Sequence, residues 1–196
     1  RIAAAVEAIG GRAIMTAPDH PSGTDRIAEA VGRLKADIVV NVQGDQPFLD
    51  ATMIGEAVEP LLGDPALPMA TLMHPIARPE DLANPSVVKV VVDRHGHALY
   101  FSRSLIPYPR RPEPHPVFEH VGLYVYRRDF LLTLAHLPPT PLEQIEGLEQ
   151  LRALEHGYRL RVVASQATDH AFTGFSVDTA EDLARAEQLL RERGLP

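Results

Sequence analysis

Cysteine is absent from the 196 residues, which excludes disulfides and thiolate chemistry and fits a reducing compartment. No apolar stretch approaches the roughly 20 residues a helix needs to cross a bilayer. No basic-then-apolar leader stands at the front, so the expectation is a cytoplasmic protein with no membrane partner. Positive charge is scarce: 19 Lys and Arg stand against 26 Asp and Glu, a formal net charge of -7. That balance argues against nucleic acid as a partner, although a single nucleotide carried with magnesium needs no basic surface. Repeats, low-complexity tracts and interdomain linkers are missing too, so one domain over 1–196 is expected. What is present is ordinary for a globular protein with a sizeable core, at 45% hydrophobic and 23% charged residues.

The chain is organised around Ile38 to Pro47, IVVNVQGDQP. Its β-branched run suits a strand covered on both faces in a parallel sheet. The run stops at Gln43-Gly44-Asp45, which places a carboxylate just beyond the carboxyl end of a strand, where open α/β sheets bind ligands. A carboxylate there suits a hard divalent cation that would in turn hold nucleotide phosphates. The competing reading is that Asp45 only caps the next turn.

Upstream, Arg1 to Ile9 reads as an Ala-rich helix closed by Gly10-Gly11. Because α/β domains usually begin with a strand, an N-terminal piece ahead of Arg1 is expected. Gly11 to Met15 is a strand candidate feeding a polar loop, and Asp25 to Lys35 has the spacing of one helical face. With the central strand these make a right-handed βαβ unit. Downstream, Asp50 is a plausible N-cap for a helix through Leu61, followed by a strand at Met69 to Leu72. Val87 to Val92 and Ala98 to Phe101 flank a hairpin turn at Asp93-Arg94-His95-Gly96. His95 and His97 have metal-pair spacing but sit on that turn, hence in solvent. Pro107 to Pro116 reads as a loop, Val117 to Tyr126 as a strand and Arg127 to Leu137 as a short helix. Pro141 to His156 reads as one helix with a stripe of Leu142, Ile145, Leu148, Leu151 and Leu154. A strand at Arg159 to Ser165 and a last helix begun by Thr179 and Asp182 complete an α/β pattern.

Seven segments in order resemble the 3-deoxy-D-manno-octulosonate (Kdo) cytidylyltransferases, or CMP-Kdo synthetases. They are DHPSGTDR (Asp19 to Arg26), VNVQGDQP (Val40 to Pro47), NPSVVKVVVD (Asn84 to Asp93), ALYFSRSLIP (Ala98 to Pro107), HVGLYVYR (His120 to Arg127), LEQIEGLEQLRAL (Leu142 to Leu154) and VDTAEDL (Val177 to Leu183). The resemblance implies a three-layer, nucleotidyltransferase-like (Rossmann-like) α/β fold with a mixed, mostly parallel sheet and a hairpin-bearing excursion. It implies a Mg²⁺-dependent reaction in which the anomeric hydroxyl of Kdo attacks the α-phosphorus of CTP, giving CMP-Kdo for lipopolysaccharide synthesis. Such transfers rest on alignment and charge neutralisation.

By the same resemblance, Asp45 and Asp178 are the catalytic metal-binding carboxylates. His20, Ser22, Gly23 and Gln43 face CTP, and Arg103, His120, Tyr124, Glu149 and Gln150 face Kdo. Read singly, Asp178 is a helix-start residue, Ser22 or Thr24 an N-cap, and Glu149 and Gln150 a solvated helix side. The family also implies a homodimer, with region 84–126 at the dimer interface and the sugar site. Three departures stand out. The family's opening strand and its Gly/Arg/Lys signature loop for the triphosphate have no counterpart, which amounts to roughly the first fifth of a usual member on expected element count. The Pro-rich segment before His120 is shortened, and Ser176 replaces the usual glycine. The rival expectations are a synthetase for sialic acid or 8-amino-Kdo, an inactive nucleotide-binding fragment, and a non-enzymatic α/β scaffold.

Overall fold

In the computed structural model, the described residues are 1–111, 115–167, 175–177 and 179–192. The first helix, α1 (Ile2–Ala8), ends before Gly10, whose φ of 81° takes the left-handed turn. Ser22 caps α2 (Gly23–Gly32) by accepting from the Asp25 amide, and Asp50 caps α3 (Ala51–Gly63) through the Thr52 amide. The remaining elements are β1 (Ile38–Asn41), β2 (Met69–Pro75), β3 (Lys89–Val92), β4 (Ala98–Ser102), β5 (Phe118–Arg127), α4 (Arg128–Leu134), α5 (Pro141–Glu146), α6 (Gln150–Glu155), β6 (Leu160–Ala164) and α7 (Ala180–Glu192).

The strands form one mixed sheet in the order β4-β3-β5-β2-β6, with β1 also paired to β5. β1, β2, β3 and β6 share a direction, and β4 and β5 oppose it. Because β5 is central, most neighbouring pairs are antiparallel, and β2 with β6 is the parallel pair. The hairpin of β3 and β4 does not stand apart from this sheet. Its tip returns to β6, where His97 bridges Arg161 and the Val162 amide donates to the Gly96 carbonyl at 2.8 Å, so the sheet curls on itself. His95 is exposed, as its place on the turn predicts, but His97 is half-buried by its bridge to Arg161 rather than in solvent.

Two apolar clusters make the layers. Met53, Ala57 and Leu61 of α3 pack on Leu72, Val121, Leu123 and Val125 across one face. On the other, α2, α4 and α6 bury Val31, Leu131 and Leu151 against Val90, Phe101, Leu160 and Val162. The sheet is mixed but mostly antiparallel, not mostly parallel as expected, and three further expectations are corrected here. Gly11 to Met15 forms no strand, since no described strand lies beside it to receive its backbone bonds. β1 is neither parallel-paired nor fully covered: it is a four-residue strand, half-buried throughout and antiparallel to β5. Pro141 to His156 is two helices. Gly147, at φ 63° and ψ 44°, ends α5 and leaves Ile145 79% exposed, while Leu148 and Leu151 are buried.

Candidate functional site

β5 has a full neighbour on one edge and a divided one on the other. β2 runs along the first edge. On the second, β3 covers Phe118 and Glu119, the His120 amide donates to the Val88 carbonyl, and β1 resumes at Tyr124. Residues 121–123 therefore face a gap between β3 and β1. A cavity of about 530 Å³ lies at this gap, reached by Asn41, Gln43, Asp45 and Gln46, by Ser86 to Val88, and by Glu119, His120, Gly122 and Tyr124.

A bulge in β5 shapes this wall. Thr71 pairs with Tyr124 but Leu72 with Val121, which leaves Gly122 and Leu123 as extra residues. The Thr71 hydroxyl, 2.8 Å from the Leu123 carbonyl oxygen and 3.1 Å from that of Val121, satisfies the disturbed ladder and also meets His120 Nε2 at 2.9 Å. A side chain at Gly122 would bring a Cβ within 3.0 Å of Gln46 Nε2 and 3.8 Å of Gln43 Cγ, so glycine permits this close approach. The rings of His120, Tyr124 and Tyr126 follow one another across the bulge, the first two tilted with centroids 5.3 Å apart and the last two stacked at 6.0 Å. Burial pushes the His120 imidazole down to about 3, so it is neutral at physiological pH. Burial, then the neighbouring Asp81 carboxylate, raises Glu119 to about 7 against the pull of Arg78.

The α5–α6 corner supplies the opposite wall. Arg103 Nε donates to the Glu146 carbonyl at 2.7 Å, Nη1 to the Pro85 carbonyl at 2.9 Å and Nη2 to the Gly147 carbonyl at 3.5 Å. Main-chain oxygens thus fix the guanidinium, and no carboxylate among the described residues makes an ion pair with it. The Glu146 carboxylate accepts from Ser102 Oγ at 2.7 Å and from the Arg103 amide at 3.0 Å. Burial pushes the Glu146 carboxyl up, but these bonds outweigh it and hold the group below the usual range. Lys89, fully buried, ties the Asn84 and Arg103 carbonyls together at 2.7 and 3.3 Å. α5 and α6 are clasped by Arg152, which donates from Nε to Glu143 Oε2 at 2.8 Å and from Nη2 to Oε1, both side chains being buried. At the start of α6, Gln150 Oε1 accepts from the Tyr124 hydroxyl at 3.0 Å. Its Nε2, also buried, has no acceptor among the described residues.

All five residues the sequence assigns to the sugar acid, Arg103, His120, Tyr124, Glu149 and Gln150, line this one cavity, together with Gly23, Gln43 and Asp45. Ser22 stands beside it, and its hydroxyl donates to Asp25 Oδ2 at 2.6 Å while capping α2. His20 is not among the lining residues; its Nε2 lies 2.5 Å from Glu29 Oε2. Asp45 is exposed. Its carbonyl accepts from the Val177 amide at 2.9 Å and its Oδ2 from Ser176 Oγ at 3.1 Å. Phe175 packs edge-on to Phe48 at 5.4 Å, so segment 175–177 is held on the Asp45 loop. Asp178 lies outside the described residues. Among the described residues no group of three or more His, Asp or Glu forms a metal centre. An exposed carboxylate beside a hydroxyl is nonetheless a hard oxygen set of the kind magnesium takes, with the rest of its shell left to water and phosphate.

Sequence reasoning passed over Thr24, Asn41, Gln46, Glu119, Gly122 and Tyr126, all of which line the cavity. Gly122 carried a legible signal, since a lone glycine within a strand pattern marks a bulge or a close approach.

The cytidylyltransferase family model matches residues 1–162. The 3-deoxy-manno-octulosonate cytidylyltransferase of Syntrophotalea carbinolica is 52% identical over 97% of this chain and 78% of its own length. That of Syntrophus aciditrophicus is 52% identical over 98% of this chain and 77% of its own. A solved structure described as CMP:2-keto-3-deoxy-manno-octonic acid synthetase complexed with CTP matches with a TM-score of 0.90 at 44% identity, covering 98% of this chain and 77% of that one. The 4-diphosphocytidyl-2C-methyl-D-erythritol synthase of Anaerococcus prevotii, 12% identical with a TM-score of 0.57, shares the fold alone. With this identity carried over nearly its whole length, the chain belongs to the 3-deoxy-manno-octulosonate cytidylyltransferase family.

Proposed function

We propose that the protein transfers the cytidylyl group of CTP to Kdo. The anomeric oxygen of Kdo bonds to the α-phosphorus, the α–β phosphoanhydride breaks, and pyrophosphate leaves as CMP-Kdo forms for lipopolysaccharide synthesis. The observation that carries this reading is the shared cavity. It joins a guanidinium fixed by carbonyls, a neutral imidazole and a buried amide that lacks an acceptor to the loop bearing Asp45. Arg103 offers its remaining N–H groups to the sugar-acid carboxylate, a planar match to guanidinium. Gln150 Nε2, His120 and Glu149 exchange hydrogen bonds with the sugar hydroxyls. Gly23 and Gln43 face the nucleotide, with Ser22 ordering the loop, and His20 supports that loop through Glu29.

Asp45, with Asp178 from the same sequence pattern, would hold Mg²⁺, which when bound supplies charge neutralisation at the reacting phosphate. No helix among the described residues is long and apolar enough to cross a membrane, and a cytoplasmic homodimer completes the reading. Val90 and Phe101 of the hairpin are buried in the chain's own core, leaving Leu99 exposed for a second copy. Pyrophosphate release with CTP tests the activity. Release is expected with Kdo and not with sialic acid or 8-amino-Kdo. Equal release with all three acids, or none with Kdo, would overturn it.

A further inference from the structure

Thr24 is the second residue of α2, but it does not cap the helix, a task Ser22 performs. It is buried, and its hydroxyl crosses to another element, donating to Glu149 Oε2 at 2.5 Å. Glu149 is exposed, so a carboxylate on its flexible stem would otherwise sample many rotamers and lose that freedom on binding a ligand.

We propose that Thr24 is a positioning residue that fixes the Glu149 carboxylate for the sugar acid, from the helix whose N-terminal loop serves the nucleotide. The proposal rests on the reading of the cavity as the CTP and Kdo site. It accounts for a buried hydroxyl placed just after Ser22-Gly23 yet directed at α6.

The test is calorimetric titration without divalent metal, so that no turnover occurs. Kdo is titrated at saturating CTP, and CTP is titrated alone. Thr24→Val keeps the shape and removes the hydroxyl; it is expected to weaken Kdo binding about tenfold, within what a hydrogen bond to a charged group is worth, while CTP affinity changes less than about twofold. Thr24→Ser is expected to restore most of the loss. Unchanged Kdo affinity in Thr24→Val, equal weakening of both ligands, or a Thr24→Ser variant as poor as Thr24→Val would overturn the proposal. If Thr24→Val does not fold, Thr24→Ala removes the same hydroxyl without adding a branched side chain and is expected to weaken Kdo selectively by a similar factor. Loss of that selectivity would be equally fatal. Failure of the unaltered protein to release pyrophosphate from CTP and Kdo would instead overturn the functional reading.

Discussion

Two of the cavity's walls are built to different standards. The wall made by Arg103 and the α5–α6 corner is bound by the buried Glu143–Arg152 pair, the fully buried Lys89 and the bonds that converge on Glu146. The wall made by the Gln43 to Gln46 loop is largely exposed, and its described ties are the contacts of Asp45 with Ser176 and Val177 and of Phe48 with Phe175. The Arg103 wall is organised before any ligand arrives, whereas the Asp45 wall, which we propose meets phosphate and metal, leaves its carboxylate in solvent. Leaving an unpaired carboxylate in water avoids the cost of burying its charge, and fixing a recognition group in advance lowers the cost of ordering it on binding.

Breaking each wall should therefore give opposite signatures. Asp45→Asn removes a charge from the exposed wall without removing packing. We expect CTP-dependent turnover to fall on the order of a hundredfold or more, with a melting temperature within about 2 °C of the unaltered protein. A variant that kept near-normal pyrophosphate release would overturn the proposed metal role of Asp45, and one that melted far lower would dissolve the contrast between the walls.

Arg152→Met attacks the organised wall. It leaves the Glu143 carboxylate buried at the α5 capping box with its partner gone, a change that typically costs about 3–5 kcal/mol. For a chain of this size the melting temperature should fall on the order of 10 °C. Adding Glu143→Gln, which removes the stranded charge but retains a capping-box acceptor, should recover part of the loss. A double variant no better than the single one would show that Arg152 acts through packing.

The β5 wall carries two titrations of opposite sign. His120 has a folded value near 3, below its unfolded one, so its contribution is full above about pH 6.5 and is lost as pH falls toward 3. Glu119 is raised to about 7, so the stability it contributes is full below its unfolded value of about 4.5 and is lost as pH rises through 7. Melting temperatures from pH 4 to 8 should thus respond oppositely to the two substitutions. His120→Gln should flatten the acid limb and Glu119→Gln the neutral one, and two variants with parallel profiles would refute the assignment.

How legible this was depends on whether the signal was local. Caps and periodic helices announce themselves, and Ser22, Asp50, α2 and α3 stand as their residues suggest. β1 misled, because a β-branched run reports strand propensity and not what covers it; its pairing with β5 across some 85 residues is decided by the whole sheet. Arg103, His120, Tyr124, Glu149 and Gln150 were reached through ordered motifs. Thr24 and Glu119 were not, because what matters in each is a distant partner, Glu149 for one and Asp81 for the other. The long helix failed at one residue: its stripe continues through Gly147, and only backbone geometry shows the turn.

That turn gives the smallest predicted effect and the most direct test of why the corner exists. At φ 63° an alanine carries left-handed strain of about 1 kcal/mol, yet a Cβ at Gly147 would meet only Arg103 Nη2, at 4.0 Å, so crowding adds little. Gly147→Ala should lower the melting temperature by about 2–4 °C, and Gly147→Asn by less, since asparagine tolerates this region. Because the Gly147 and Glu146 carbonyls hold the Arg103 guanidinium, relief of the strain by unwinding would move that group too. The Michaelis constant for Kdo should then rise severalfold in the alanine variant while that for CTP stays put. If instead alanine merged α5 with α6 and raised stability, the break would be an accident of one glycine; a loss confined to Kdo would show that Arg103 and the turn hold each other in place.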